Sequence, residues 1–256
     1  MYPIPSGRAL RFYRKAPDNA VFSGQQILPL FAGMLTKLNN MFNTPVVVFD
    51  FETTGMSPTY GDRPIEVGAV RIENERIVDR FQELMNPGFR INGFIESLTG
   101  ISNRLVAQAP PCETVMARFA DWIGDAPLAA HNAGFDRKFL DAELALIGRS
   151  RENPMACTVL AARRLFPESP NHKLATLVGH LGICTDGTFH RALADAEMTG
   201  QLWIAMTDLL RERYGLDEIP FTLIQELTRI ARAKVDRYVR AYADRQAGCL
   251  ACTNTP

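Results

Sequence analysis

The apolar run Val46-Val47-Val48-Phe49 passes directly into Asp50-Phe51-Glu52-Thr53-Thr54-Gly55, so a segment built to be buried delivers two carboxylates at its end. Side chains alternate across a strand, and residues two apart share a face; Asp50 and Glu52 therefore point the same way. Two anions held together in a partly dry place repel unless a cation joins them, and a hard divalent ion with oxygen ligands does so. The strand end reads as half of a metal site. Two solvated acids at an exposed strand end are the competing reading, and the hexapeptide alone leaves both open.

A chain of 256 residues with 46% hydrophobic content can bury one large core with appendages. No stretch approaches the ~20 continuous apolar residues of a membrane span, and no apolar signal segment follows Arg8, Arg11, Arg14 and Lys15. A cytoplasmic protein without membrane association is expected. The five cysteines, at 112, 157, 184, 249 and 252, form no even framework, and Cys249-Leu250-Ala251-Cys252 lacks a second metal-binding pair. The formal charge is zero, yet residues 1–40 carry +4, residues 221–256 carry +3 and residues 41–220 carry −7. An acidic middle repels a polyanion unless bound cations reverse the local field.

Residues 1–43 read as an N-terminal extension, with a helical apolar stretch at Ile27 to Leu38. Strand patterns follow at Val46–Phe51, Ile65–Ile72 and Ile77–Leu84, linked tightly enough for an antiparallel meander. Ser102 is placed to cap a short helix, Val115–Ile123 has helical spacing, and Pro127–Ala130 is a short strand. Phe135–Ile147 is an amphipathic helix closed by Gly148. Helices are expected at 157–166, 173–181 and Ala192–Leu210, and a basic amphipathic helix over 221–245, packed on the core or on a partner. Strands first, then alternation with helices, give an α/β fold with a sheet of mixed direction.

Two further segments carry acids. His131-Asn132-Ala133-Gly134-Phe135-Asp136 puts a carboxylate at a helix start after a strand, where Asp136 reads equally as a charge favouring the helix N-terminus. His190-Arg191-Ala192-Leu193-Ala194-Asp195 supplies a histidine and another acid. Five helical residues rotate by about 500°, roughly 140° off one face, so the two side chains converge only if His190 precedes the helix.

Together these segments resemble the histidine branch of the DEDD exonuclease superfamily, which includes the proofreading epsilon subunit of bacterial DNA polymerase III, ribonuclease T and oligoribonuclease. The match runs in order through Asp50–Gly55, His131–Asp136 and His190–Asp195 and covers about residues 45–210. The tyrosine branch would need Tyr where Arg191 stands. Ile65–Val70, Leu98–Ile101 and Asn171–Leu174 add local similarity, while Thr99-Gly100-Ile101 and Asn92-Gly93 depart from the epsilon subunit.

The resemblance implies a ribonuclease-H-like fold, a mixed five-stranded sheet flanked by helices, with the exonuclease domain at 44–212; the basic amphipathic helix and tail at 213–256 lie outside the match and are read from the residue pattern. It implies two Mg²⁺ or Mn²⁺ ions, one held by Asp50, Glu52 and Asp195, the other by Asp50 with Asp136. His190 would take a proton from the attacking water, a task suited to the ordinary histidine pKa of about 6.5. The implied reaction releases nucleoside 5′-monophosphates from a single-stranded 3′ end.

Candidate substrate contacts are Glu52, Thr53, Thr54, Gly55, Leu98, His131, Asn132 and Phe135, with His131 also readable as hydrogen-bonded core. Glu66 reads either as a support behind the residues of the site or as structural. DNA is favoured over RNA through the likeness to proofreading subunits, with a DNA polymerase subunit as a partner. RNA trimming in the manner of ribonuclease T or oligoribonuclease, and an accessory nucleic-acid-binding module, are the alternatives. Oligomeric state is left open.

Overall fold

A computed structural model describes residues 45–185 and 190–253. The expected N-terminal extension and its apolar stretch at Ile27 to Leu38 lie outside the described residues. By its internal contacts the chain divides into residues 1–38 and 39–256, and everything described belongs to the second unit.

The sheet has five strands in the order β3-β2-β1-β4-β5. These are β1 (Val46–Thr53), β2 (Pro64–Glu73), β3 (Arg76–Leu84), β4 (Leu128–Ala130) and β5 (Met155–Cys157). The first three form the expected meander. Asn74 and Glu75, both at positive φ, make the two-residue turn between β2 and β3, whose backbone twist matches the flanking strands. β4 and β5 run parallel to β1, so the sheet is mixed. β5 was not foreseen, because three residues carry too little pattern to separate a strand from the helix that follows.

Nine α-helices are described: α1 (Gly93–Thr99), α2 (Asn103–Gln108), α3 (Cys112–Ile123), α4 (Ala133–Leu146), α5 (Thr158–Leu165), α6 (Leu174–Leu181), α7 (Ala192–Tyr214), α8 (Phe221–Leu227) and α9 (Val235–Thr253). Ser102 caps α2 as expected, accepting the Leu105 N–H. α4 ends in a Schellman pattern: Arg149 N–H bonds the Leu144 carbonyl and Gly148 N–H the Ala145 carbonyl, with Gly148 at φ 69°.

Each face of the sheet has its own core. Val47, Phe49 and Phe51 of β1 pack with Phe119 of α3 and Phe139 and Leu140 of α4. Val46, Val48, Val70 and Ile72 pack on the other face with Leu202, Trp203 and Met206 of α7. Fully buried rings such as Phe49, Phe119 and Phe139 each contribute about 1.5–3 kcal/mol relative to exposure. Because β1 keeps strict alternation, Asp50 and Glu52 must lie on the α7 face, in line with Val46 and Val48.

The single helix expected over 221–245 is corrected to two, α8 and α9, with a 3₁₀ turn at Arg232–Lys234 between them. No Gly or Pro marks the break. Thr228 turns its hydroxyl back onto the Gln225 carbonyl, and Arg164 of α5 donates to the Ile230 carbonyl, so a tertiary contact satisfies what a continuing helix would have used. Both helices pack on the core, through Leu223, Ile224 and Leu227 of α8 and Val235 and Val239 of α9.

Candidate active site

β1 and β2 pair so that Asp50 lies opposite Gly68 and Glu52 opposite Glu66. All four positions face α7. The glycine decides how closely that helix approaches: a Cβ on Gly68 would sit 2.0 Å from the Leu193 N and 2.1 Å from the Ala192 carbonyl carbon. The first turn of α7 therefore rests directly on the strand beside Asp50, which brings Asp195 to the two β1 acids. His190 precedes the helix, as the rotation argument required, and adopts a left-handed backbone at φ 59°. Its backbone N–H donates to Asp195 Oδ2 at 3.1 Å. The preceding residues 186–189 lie outside the described structure.

Asp136 arrives from the other side. β4 pairs with β1 only at Val47 and Val48, leaving the later part of that edge of β1 free for a side-chain partner. The Phe51 N–H donates to Asp136 Oδ1 at 3.3 Å, so the first turn of α4 is tied to the strand between Asp50 and Glu52. Asp136 is 1% exposed.

The electrostatics show a site short of positive charge. Burial, then the neighbouring charges of Asp136, Asp195, Glu52 and Glu66, hold the Asp50 carboxyl far above its usual range. Burial with Asp195 and Glu66 nearby pushes Glu52 up to about 8, although Arg191 pulls it back somewhat. Burial raises Asp136 to about 7 against the opposing Phe51 hydrogen bond, and Asp195 to about 6. Such shifts state that ionising these acids together costs free energy in the absence of a cation. One ligand atom each from Glu52, His190 and Asp195 lie within 4.8 Å of one another, a spacing that suits a shared ion. The donor set is carboxylate oxygens with one imidazole, which fits a hard divalent cation.

A family model described as "Exonuclease" matches residues 47–203. The chain belongs to this exonuclease family. The exonuclease is 40% identical over 166 residues to a PolC-type DNA polymerase III of Caldanaerobacter subterraneus subsp. tengcongensis, covering 65% of this chain and 12% of that one. It is 41% identical over 161 residues to the PolC-type DNA polymerase III of Bacillus cereus, covering 62% and 11%. The chain thus spans about a tenth of the length of these curated relatives. Among solved structures, the fold is shared with Exonuclease X in complex with 5′ overhanging duplex DNA, with a TM-score of 0.56 and 24% identity over 72% of this chain and 99% of that one. It is shared also with the nuclease domain of 3′hExo, a DEDDh family member bound to rAMP, with a TM-score of 0.57 and 22% identity over 65% and 93%. The ribonuclease-H-like arrangement expected from the sequence is the one observed, and family members generally use divalent metal ions.

In the exonuclease, Asp50, Glu52, Asp136, His190 and Asp195 come together at the carboxyl ends of the parallel strands, where open α/β sheets place their sites. The other predicted contacts separate into two kinds. Leu98 is 42% exposed on α1, and Asn132 is exposed at the start of α4, at φ 77°. Phe135 lies partly exposed on α4, with Lys138 Nζ 5.5 Å above its ring. By contrast, Thr53 and Thr54 are buried and spend their hydroxyls inside the loop. Thr53 donates to the Gly55 carbonyl, while Thr54 donates to Asp62 and accepts from the Arg63 N–H. His131 is likewise committed. Its Nε2 bonds the His172 carbonyl, which can only accept, so Nδ1 carries no proton and accepts from the Thr158 hydroxyl. Burial lowers His131 to about 4, leaving it neutral. A phosphate contact from its ring is therefore not what the geometry offers.

Three residues were missed. Arg63 forks onto the buried Glu143 at 3.0 and 2.6 Å and reaches Glu113 at 2.9 Å, fastening α4 to the loop after β1. Glu143 follows Asp136 by seven residues, two helical turns on the same face. Gly68 and Arg191 are the others: Gly68 had a signal, since Glu66 and Gly68 repeat on β2 the two-residue spacing of Asp50 and Glu52, whereas Arg191 meets Glu66 from 125 residues away.

Proposed function

We propose that this chain is a metal-dependent 3′→5′ exonuclease that removes nucleoside 5′-monophosphates from single-stranded 3′ ends, with DNA preferred to RNA. The observation that carries it is the convergence of Asp50, Glu52, Asp136 and Asp195 on one sheet edge, with His190 at the rim. The 40% identity to chains named DNA polymerase III supports DNA as the substrate and a polymerase as a partner, and a cytoplasmic setting accords with such relatives.

Asp50, Glu52 and Asp195 would hold one Mg²⁺ or Mn²⁺, and Asp50 with Asp136 a second. Such ions, when bound, neutralise charge on the phosphate and lower the pKa of the attacking water. The protein supplies the rest. The carboxylates would hold the cations that let the anionic phosphodiester approach, and the His190 ring, exposed and carried on a turn pinned to Asp195, accepts the proton as the water oxygen bonds to phosphorus. The bond from phosphorus to the 3′ oxygen of the upstream sugar breaks, and that oxygen takes a proton from solvent, leaving a 3′-hydroxyl on the shortened strand. Leu98 and Phe135 offer apolar surface to the terminal base, a contact that does not discriminate sequence. Gly55 and Asn132, with the backbone of Thr53 and Thr54, complete the proposed contacts.

The test is turnover of matched DNA and RNA oligonucleotides, single- and double-stranded, with Mg²⁺ or Mn²⁺. Mononucleotide release from single-stranded DNA is expected, abolished by Asp50→Ala and lowered about 10²–10⁴-fold by His190→Ala, the range for losing a general base. Faster release from RNA would favour the ribonuclease T-like reading. Intact DNA and RNA with wild-type protein and metal would leave an accessory binding role and sink the enzyme.

A further inference from the structure

Glu66 is wholly buried, and three of the four hydrogen bonds it accepts come from Arg191 and Ala192, which lie between His190 and Asp195. Oε1 accepts from Gln82 Nε2 at 2.9 Å and from Arg191 Nη2 at 2.8 Å. Oε2 accepts from Arg191 Nε at 3.1 Å and from the backbone N–H of Ala192 at 3.1 Å. The two Arg191 bonds form a fork, the geometry that specifies orientation as well as energy. The Ala192 bond satisfies a free N–H at the first residue of α7. One carboxylate thus holds two successive residues of the segment His190-Arg191-Ala192, from a strand 125 residues away in sequence.

The catalytic histidine sits immediately before this clamp. His190 takes a left-handed backbone that an L-residue adopts at some cost, and such a conformation persists when its surroundings dictate it. On one side its N–H is held by Asp195; on the other its neighbour Arg191 is held by Glu66. Gly68, two residues along β2, lets the helix start rest against the strand. Glu66 itself stands opposite Glu52 but is satisfied by Arg191, Ala192 and Gln82, which leaves Glu52 for the site.

We propose that Glu66, acting through Arg191 and the Ala192 N–H, is a positioning residue that sets the turn carrying His190 toward the β1 acids. This inference rests on the exonuclease reading. Its test is a double-mutant cycle on single-stranded DNA with Mn²⁺, using Glu66→Gln, His190→Ala and both together. Glu66→Gln is expected to lower kcat by about 10²-fold with KM changed less than threefold, because Glu66 touches no substrate. In the His190→Ala background the same change is expected to cost less than threefold, since no histidine remains to position. A full 10²-fold loss in both backgrounds, or a loss carried by KM, overturns the proposal. If Glu66→Gln does not fold, Arg191→Ala, which removes the half-exposed partner, is put through the same cycle with the same criteria. Wild-type turnover tests the nuclease reading separately, so an inactive wild type and an additive cycle are distinct failures.

Discussion

The Phe51 backbone N–H donates to Asp136 Oδ1, so the acid delivered by α4 is tied to the strand between the two acids it joins. An asparagine keeps the accepting oxygen but carries no charge. Asp136→Asn should therefore retain the tether while removing one of the mutually repelling carboxylates that burial already holds up at about 7. The metal-free variant is expected to melt a few degrees higher than wild type at pH 8. Its kcat should fall by about 10³-fold, the loss of several kcal/mol of metal-assisted stabilisation. Thermal melting in EDTA, run beside nucleotide release, checks both; a lower melting temperature would mean that the charge itself holds α4 in place.

The raised carboxylates also set a pH dependence for the metal-free protein. In the unfolded chain these acids titrate at about 4. In the folded chain Asp195, Asp136 and Glu52 hold their protons to about 6, 7 and 8, and Asp50 is raised as well. Between these limits the folded state binds more protons, so stability must fall as pH rises from about 4 to 8. A divalent cation binds the ionised acids and reverses the trend. Melting temperatures at pH 5, 6.5 and 8 should fall in EDTA, and the gain on adding Mn²⁺ should grow with pH. A gain independent of pH would show that these acids are not the ligands.

The sequence made β1 and its two acids legible because a two-residue period on a buried strand needs no tertiary information. Asp136, His190 and Asp195 were legible through their order and spacing, and His190 had to lie outside the helix on rotation alone. What stayed hidden depends on distant partners. Glu66 resembles an ordinary strand acid until Arg191 is beside it, and the α8–α9 break is made by Arg164, not by a local breaker. Thr53, Thr54 and His131 stand within the motifs, yet their polar atoms serve the fold, which no spacing could reveal.

Gly68→Ala isolates the close approach of α7. The added methyl group would meet backbone atoms of Ala192 and Leu193, which cannot swing aside as a side chain can. Either the helix start or β2 must move, at an expected cost of about 1–3 kcal/mol, the range for overpacking a core. Asp195 and His190 move with the helix start, so kcat should drop well beyond what the residual folded fraction explains. Urea denaturation gives the first quantity, and turnover per folded molecule the second. Wild-type kcat in a destabilised protein would locate the accommodation in β2 instead.

His131→Phe distinguishes a structural histidine from a phosphate-binding one. The ring nitrogens join the end of β4 to the start of α5 and to the His172 carbonyl, and burial keeps the imidazole neutral above about pH 4. Phenylalanine fills similar space but offers neither bond, leaving the His172 carbonyl without its partner at a cost of about 1–3 kcal/mol. Stability should fall by that amount. A neutral ring with both nitrogens engaged adds nothing to the attraction of a phosphate chain, so KM for an oligonucleotide and its dependence on salt should match wild type. Had His131 been a cationic phosphate contact, KM would rise and the slope of log K against log salt would weaken by about 0.7, the value for one lost contact on a single strand. Measuring KM at 50 and 200 mM salt, with about those concentrations chosen to span the steep range, separates the two outcomes.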